Sequence, residues 1–133
     1  MTTELAYLAW TALLASVLWV PCVVGYVQSR GFLKPHDYRT APDSPLPDWV
    51  NRAVRAQANM VENFSAFAAL VLVAHVLEVS NGWTALCAAA FFWSRLAHAI
   101  VHMTGFPYFM ARTVIFGIGN TATVVLGIVI LFG

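Results

Sequence analysis

Four long apolar segments dominate this chain of 133 residues. They cover about residues 5–27, 48–79, 83–102 and 112–132. A helix needs about 20 mainly apolar residues to cross the hydrocarbon core of a bilayer, and each segment reaches that length. Helices also satisfy their own backbone hydrogen bonds, as lipid requires. The pattern therefore predicts an all-α integral membrane four-helix bundle that forms a single domain over residues 1–133.

The low charge content excludes an ordinary soluble domain. Charged residues make up 10% of the chain, whereas soluble domains carry about 25%. The net charge of +1 indicates no nucleic-acid partner. Thr2, Thr3 and Glu4 supply no positive charge ahead of the first apolar segment. We therefore expect a retained transmembrane helix there and not a cleaved signal peptide.

Breaks between the segments are marked by turn-forming residues. Pro21 is expected to kink the first helix or loosen its last turn. The short turn 80–82 predicts that helices two and three form a tight antiparallel hairpin. Residues 30–47 hold four of the six prolines and are interpreted as a polar loop. Three glycines of helix four are expected to allow close helix approach: Gly117, Gly119 and Gly127.

The distribution of positive charge predicts the orientation in the membrane. Five of the seven Lys and Arg residues lie between the first apolar segment and the core of the second: Arg30, Lys34, Arg39, Arg52 and Arg55. By the positive-inside rule the first loop is cytoplasmic and both termini lie on the opposite side. The start of helix two, the end of helix three and the start of helix four then share the cytoplasmic surface.

Polar residues inside the apolar segments recur at helical spacing. In helix two they are separated as i, i+4 and i+7, in helix three as i, i+3 and i+7, and a further pair opens helix four. Such groups are costly at membrane depth and point to function. We predict that they line one cavity: Arg55, Asn59, Glu62, Arg95, His98, His102, Arg112 and Thr113. Glu62 is expected to form an ion pair with Arg95 or Arg112.

These residue types suit an anionic ligand. Arginine guanidinium groups bind carboxylates and phosphates through forked geometry, and Glu62 suits a ligand ammonium group. A small peptide with both charges fits this set. If that peptide carries a thiol, Arg112 and Thr113 are placed to stabilise its thiolate. No metal site is predicted, because His98 and His102 lack a third ligand and an H-E-x-x-H pattern.

A structural interpretation of the same residues stays open. Polar side chains hold membrane helices together by buried hydrogen bonds, and Asn59, Glu62 and Arg95 fit such a clamp. Arg52 and Arg55 also fit a role in which long side chains extend to the membrane interface.

The helix-two pattern resembles a known family signature. Arg52-x-x-Arg55-Ala56-x-x-Asn59-x-x-Glu62 is similar to the signature of the MAPEG family, the membrane-associated proteins in eicosanoid and glutathione metabolism. Two further motifs match in the same order along the chain: Arg95-x-x-His98 in helix three and Arg112-Thr113 at the start of helix four. The resemblance covers nearly the whole chain.

This resemblance implies a homotrimer that binds glutathione as cosubstrate between neighbouring subunits. Arg112 matches the arginine that stabilises the glutathione thiolate, and Thr113 stands where some members have a serine. We assign the remaining site residues to glutathione binding: Arg30, Arg55, Asn59, Glu62, Arg95, His98 and His102. Arg30 matches by its place at the end of helix one.

Four positions depart from the fullest family pattern. Asn51 replaces a glutamate, and Ala58 stands where eicosanoid-type members have a ligand-binding arginine. His102 and Phe116 stand at positions where tyrosines occur in other members. A second thiolate-stabilising hydroxyl is therefore absent, and prostaglandin or leukotriene synthesis is not expected.

The leading hypothesis is a membrane glutathione transferase or peroxidase that acts on a lipophilic electrophile arriving from the bilayer. The alternative is a non-catalytic structural or accessory subunit of the same fold, whose polar stripe serves helix packing. A third hypothesis is a binder of another anionic lipid or metabolite at the same cavity.

Overall fold

The computed structural model describes residues 1–40, 42–107 and 110–132, and all of their regular secondary structure is helical. Its helices are α1 (Thr3–Val17), α2 (Trp19–Arg30), α3 (Asp48–Val76), α4 (Gly82–Thr104) and α5 (Ala111–Phe132), with a 3₁₀ turn at Pro35–Tyr38. Four stretches are long and apolar enough to cross a membrane, and α1 with α2 forms the first. The predicted all-α membrane bundle with four spans is confirmed.

The first span is interrupted at Leu18. Proline lacks an N–H group, and its ring crowds the carbonyl four residues earlier, which for Pro21 is that of Val17. Accordingly α1 ends at Val17, and the buried Leu18 donates its N–H to the Leu14 carbonyl at 3.0 Å. Pro21 thus divides the span in its middle and not at its last turn. The span ends where Gly31 adopts a positive φ of 76°.

A capped turn connects α3 and α4. The Asn81 side-chain oxygen accepts hydrogen bonds from the N–H groups of Trp83 and Thr84, at 2.9 and 3.1 Å. The Asn81 N–H donates in return to Thr84 Oγ1 at 2.9 Å. This reciprocal cap satisfies donors that every helix start leaves free. It fixes the short connection through which α3 and α4 pack against each other.

Glu4 is buried at the same end of the bundle, with 3% of its surface exposed. Its carboxylate accepts hydrogen bonds from Thr84 Oγ1 and, at 3.0 Å, from Ser80 Oγ. A negative charge is favourable at a helix N-terminus, and α4 begins at Gly82. We call Glu4, Ser80 and Thr84 the hairpin-end clamp, because they connect α1 to the start of α4.

The apolar core lies where α3, α4 and α5 meet. Phe67 and Phe91 stack with ring centroids 3.9 Å apart, and Leu126 is fully buried beside them. A smaller cluster of Leu18, Met60 and Ala99 joins the first span to α3 and α4. Aromatic stacking adds about 0.5–1.5 kcal/mol to the burial of each pair. This core fixes the rotation of α3, α4 and α5 and hence the direction of their polar faces.

The three glycines of α5 differ in their surroundings. Gly119 lies so close to Ser94 and Arg95 that it leaves no room for a Cβ atom. A Cβ at Gly127 would make ordinary contact with Leu70 at 3.6 Å, and one at Gly117 would meet nothing within 4 Å. The predicted close approach is therefore confirmed at Gly119, whereas Gly127 makes ordinary contact and no other helix in the described part of the same chain approaches Gly117.

Candidate functional site

A cavity of about 450 Å³ lies between α3, α4 and α5, at the end of the bundle opposite the hairpin-end clamp. Successive turns of α3 direct residues at i, i+4 and i+7 to one face, and this face meets the last turns of α4 and the first turns of α5. Seven of the nine residues assigned to the site from the sequence line it, together with Ala58 and Phe116: Arg55, Asn59, Glu62, His98, His102, Arg112 and Thr113.

Arg95 lies behind the cavity wall and not in it. Only 2% of its surface is exposed. Its Nη1 donates to Asn59 Oδ1 and its Nη2 donates to the Phe116 carbonyl, both at 3.0 Å. The guanidinium carbon lies 5.3 Å from the Phe91 ring centroid and 5.1 Å from that of Phe116. Arg95 therefore connects α4 to α3 and α5 and supports the site from behind.

Several buried nitrogen atoms at the site have no hydrogen-bond partner in the described residues. They are Nε of Arg95, Nε of Arg112 and both ring nitrogens of His102. An unsatisfied buried polar group costs about 1–3 kcal/mol, and native structures contain few of them. The His98 and His102 ring centroids lie 5.4 Å apart. The atoms of His102 and Arg112 belong to residues that line the cavity, and a bound polar ligand would satisfy them.

Glu62 does not form the ion pair that was predicted. Within the described residues, the one ion pair joins His36 Nε2 and Asp37 Oδ1 at 3.1 Å. Arg95 instead donates to two neutral oxygen atoms, Asn59 Oδ1 and the Phe116 carbonyl. The Glu62 carboxylate is exposed and faces the cavity, where it is available to a cationic group of a ligand or of another subunit.

Arg30 lies apart from the other predicted site residues. It lines a separate cavity of about 690 Å³ between the end of α2 and the following loop, and its Nη2 donates to the Ser44 carbonyl. Its guanidinium carbon lies 5.7 Å from the Tyr26 ring centroid. In a single subunit Arg30 does not reach the cavity between α3, α4 and α5, and its assignment to the ligand stays a prediction.

Arg52 connects α3 to α4. It is half-buried, and its Nε donates to the Met103 carbonyl at 3.2 Å. Met103 lies in the last turn of α4, whose carbonyl groups have no partners within the helix. Arg52 therefore caps the end of α4, and its extension to the membrane interface stays a prediction.

A family model described as the MAPEG family matches residues 6–132, nearly the whole chain. The chain belongs to the MAPEG family. A search of curated proteins finds no significant match. Membership makes this MAPEG chain a multi-pass membrane protein of the family associated with glutathione and eicosanoid metabolism.

In this MAPEG chain the first turn of α5 gives the cavity a region that is favourable to anions. Arg112 and Thr113 are the second and third residues of that helix. Free N–H groups and the helix dipole make a helix start favourable to negative charge. A guanidinium and a hydroxyl stand there together, beside Phe116. The arrangement suits stabilisation of an anion that develops during a reaction, such as a thiolate.

Proposed function

We propose that the cavity binds glutathione and activates its thiol toward lipophilic electrophiles. The observation that carries the proposal is the convergence of seven polar residues from three helices on a cavity whose buried nitrogen atoms lack protein partners. Glutathione carries two carboxylates, one ammonium group and one thiol, and the cavity offers cationic donors with a single carboxylate. The charge pattern of the ligand complements that of the cavity.

Each charged group of glutathione has a counterpart among the lining residues. Arg55 and Asn59 supply donors for a carboxylate, and Glu62 supplies the carboxylate for the ammonium group. Arg112 and Thr113 stabilise the thiolate at the start of α5. The thiolate then attacks an electrophilic carbon: a carbon–sulfur bond forms, the carbon–leaving-group bond breaks, and the thiol proton passes to water. With a lipid hydroperoxide, two glutathione thiols reduce it to an alcohol and water and are oxidised to the disulfide.

The proposal places the site between subunits of a homotrimer. Arg55, Glu62 and Thr113 are all exposed in a single chain, although they lie on membrane-spanning helices. Charged and polar groups at that depth are costly unless protein or ligand covers them, so neighbouring copies would complete the cavity. The lipophilic substrate would enter from the surrounding lipid. In the proposed orientation, residues 30–47 face the cytoplasm and both termini lie on the opposite side.

A titration with glutathione in detergent tests this proposal, combined with a conjugation assay on an aryl halide. Wild-type protein is expected to bind glutathione, to show thiolate absorbance in the complex and to release halide. Arg112→Ala should lose thiolate and conjugation while it keeps its oligomeric state. Arg39→Ala, which changes an exposed loop arginine, is the matched control and should behave as wild type.

One observation favours the non-catalytic alternative. The bonds from Arg95 to Asn59 and Phe116, with the bond from Arg52 to Met103, connect three helices directly. Such bonds are sufficient for an accessory subunit. If wild-type protein assembles but neither binds glutathione nor releases halide, the accessory role replaces the enzymatic one.

A further inference from the structure

We infer that Arg95 is a positioning residue that determines whether Asn59 presents a hydrogen-bond donor or an acceptor to the cavity. Arg95 turns the Asn59 amide so that its nitrogen, and not its oxygen, is offered to the ligand. The ligand group that meets Asn59 is then an acceptor, which under the proposed function is a carboxylate or peptide carbonyl of glutathione. The inference rests on that proposed function and adds to it the role of a residue that does not line the cavity.

The polarity follows from the chemistry of the two side chains. A guanidinium group has five donors and no acceptor. Only the oxygen of the Asn59 amide can therefore face Arg95, and Oδ1 does so at 3.0 Å from Nη1. The two ends of the amide point in different directions, so Nδ2 is turned away from Arg95. Asn59 lines the cavity, and within the described residues its Nδ2 has no hydrogen-bond partner.

Arg95 is held firmly enough to impose this orientation. Its second bond, to the Phe116 carbonyl, fixes the guanidinium plane against α5. The rings of Phe91 and Phe116 both lie near it, and cation–π contacts of this kind add about 0.5–2 kcal/mol each. Gly119 lets the α5 backbone approach the same guanidinium. The orientation is thus built into the packing of α4 and α5 before any ligand arrives.

The consequence is a cavity wall on α3 that presents donors. Arg55 and Asn59 Nδ2 both donate, and Glu62 alone accepts. A freely rotating asparagine would present either group and would discriminate weakly. With the amide fixed, a ligand donor placed at Asn59 meets another donor, and both lose their hydrogen bonds. Sites with fixed polar groups discriminate strongly against ligands that leave those groups unpaired.

Asn59→Asp separates this role from a structural clamp. The aspartate still accepts from Arg95, and more strongly because it is charged, so the connection between α3 and α4 is kept. Toward the cavity, however, it presents an acceptor. We expect glutathione affinity to fall about 10- to 100-fold, while the oligomeric state is kept and the thermal stability is not lowered. Unchanged affinity would overturn the inference, because it would show that the ligand does not use Nδ2.

A pair of Arg95 variants tests the positioning step itself. Lysine at position 95 has only donors, so the Asn59 oxygen must still face it. Glutamine has both a donor and an acceptor, so either end of the Asn59 amide can face it. We expect Arg95→Lys to keep glutathione affinity within about 5-fold and Arg95→Gln to lose about 10-fold or more, measured by calorimetric titration at equal oligomer content. Equal affinities in the two variants would contradict the inference. Wild-type protein that fails to bind glutathione would instead contradict the proposed function.

Discussion

A Cβ atom at Gly119 would lie 2.9 Å from the Nε atom of Arg95. The absence of a side chain at this position is what lets α5 pack closely against α4 at the level of the candidate cavity. Arg95 in turn bonds to Asn59 and Phe116. Gly119 and Arg95, the most buried arginine of the described chain, therefore form one packing unit behind the cavity.

Gly119→Ala should destabilise the protein by about 1–3 kcal/mol, because the added methyl group forces Arg95 or the α5 backbone to move. Thermal unfolding in detergent measures this change, and glutathione affinity should fall with it as Asn59 loses its fixed partner. Gly117→Ala is the matched control on the same helix. Its Cβ meets nothing within 4 Å, so it should be neutral or stabilising by up to about 1 kcal/mol. Equal effects at the two glycines would contradict the packing argument.

The sequence predicts the four spans and the polar face of each helix, because length and helical period are local properties of a chain. It does not predict which side chains pair across helices. Glu62 was expected to pair with an arginine, yet Arg95 bonds to Asn59 instead. That choice depends on the rotation of α3 relative to α4, which the packing of the whole core determines. Gly117 and Gly119 likewise look equivalent in sequence and differ entirely in their surroundings.

No local pattern in the sequence predicts the hairpin-end clamp. Glu4 and Thr84 are separated by 80 positions, and no helical spacing connects them. In the sequence, Glu4 indicates only that the first apolar segment lacks a preceding positive charge. A buried carboxylate at the start of an apolar segment is best stabilised at the N-terminus of another helix. That helix can lie far away in the sequence, as α4 does from Glu4.

Glu4→Ala should lower the stability of the bundle by about 1.5–3 kcal/mol, the range for hydrogen bonds to a charged group. Chemical unfolding in detergent gives the free energy. Glutathione affinity should stay unchanged, because the clamp lies at the opposite end of α4 from the cavity. Glu78→Ala is the control, since Glu78 is exposed and lies beside the same end of the bundle. If both variants unfold alike, the buried carboxylate is not the stabilising element.

Phe116→Tyr should increase the reactivity of the bound thiol. Phe116 lines the cavity with Arg112 and Thr113, and a tyrosine hydroxyl there adds a hydrogen-bond donor for the thiolate. A bond to a charged group is worth about 1.5–3 kcal/mol, so we expect roughly a 10-fold rise in conjugation rate. Thiolate absorbance of the complex should rise in parallel. Phe92→Tyr places the same hydroxyl beside Tyr7 and Trp93, away from the cavity, and should leave the rate unchanged.

Glu62→Gln should remove the preference for a ligand with a free amino group. The Glu62 carboxylate faces the cavity and forms no ion pair in the described part of the chain, so it is the available partner for the ammonium group of glutathione. Wild-type protein should bind glutathione about 10-fold more tightly than N-acetylglutathione, which lacks that charge. The variant should bind both with similar affinity and keep its oligomeric state. Dissociation of the oligomer without a change in this preference would instead assign Glu62 to subunit packing.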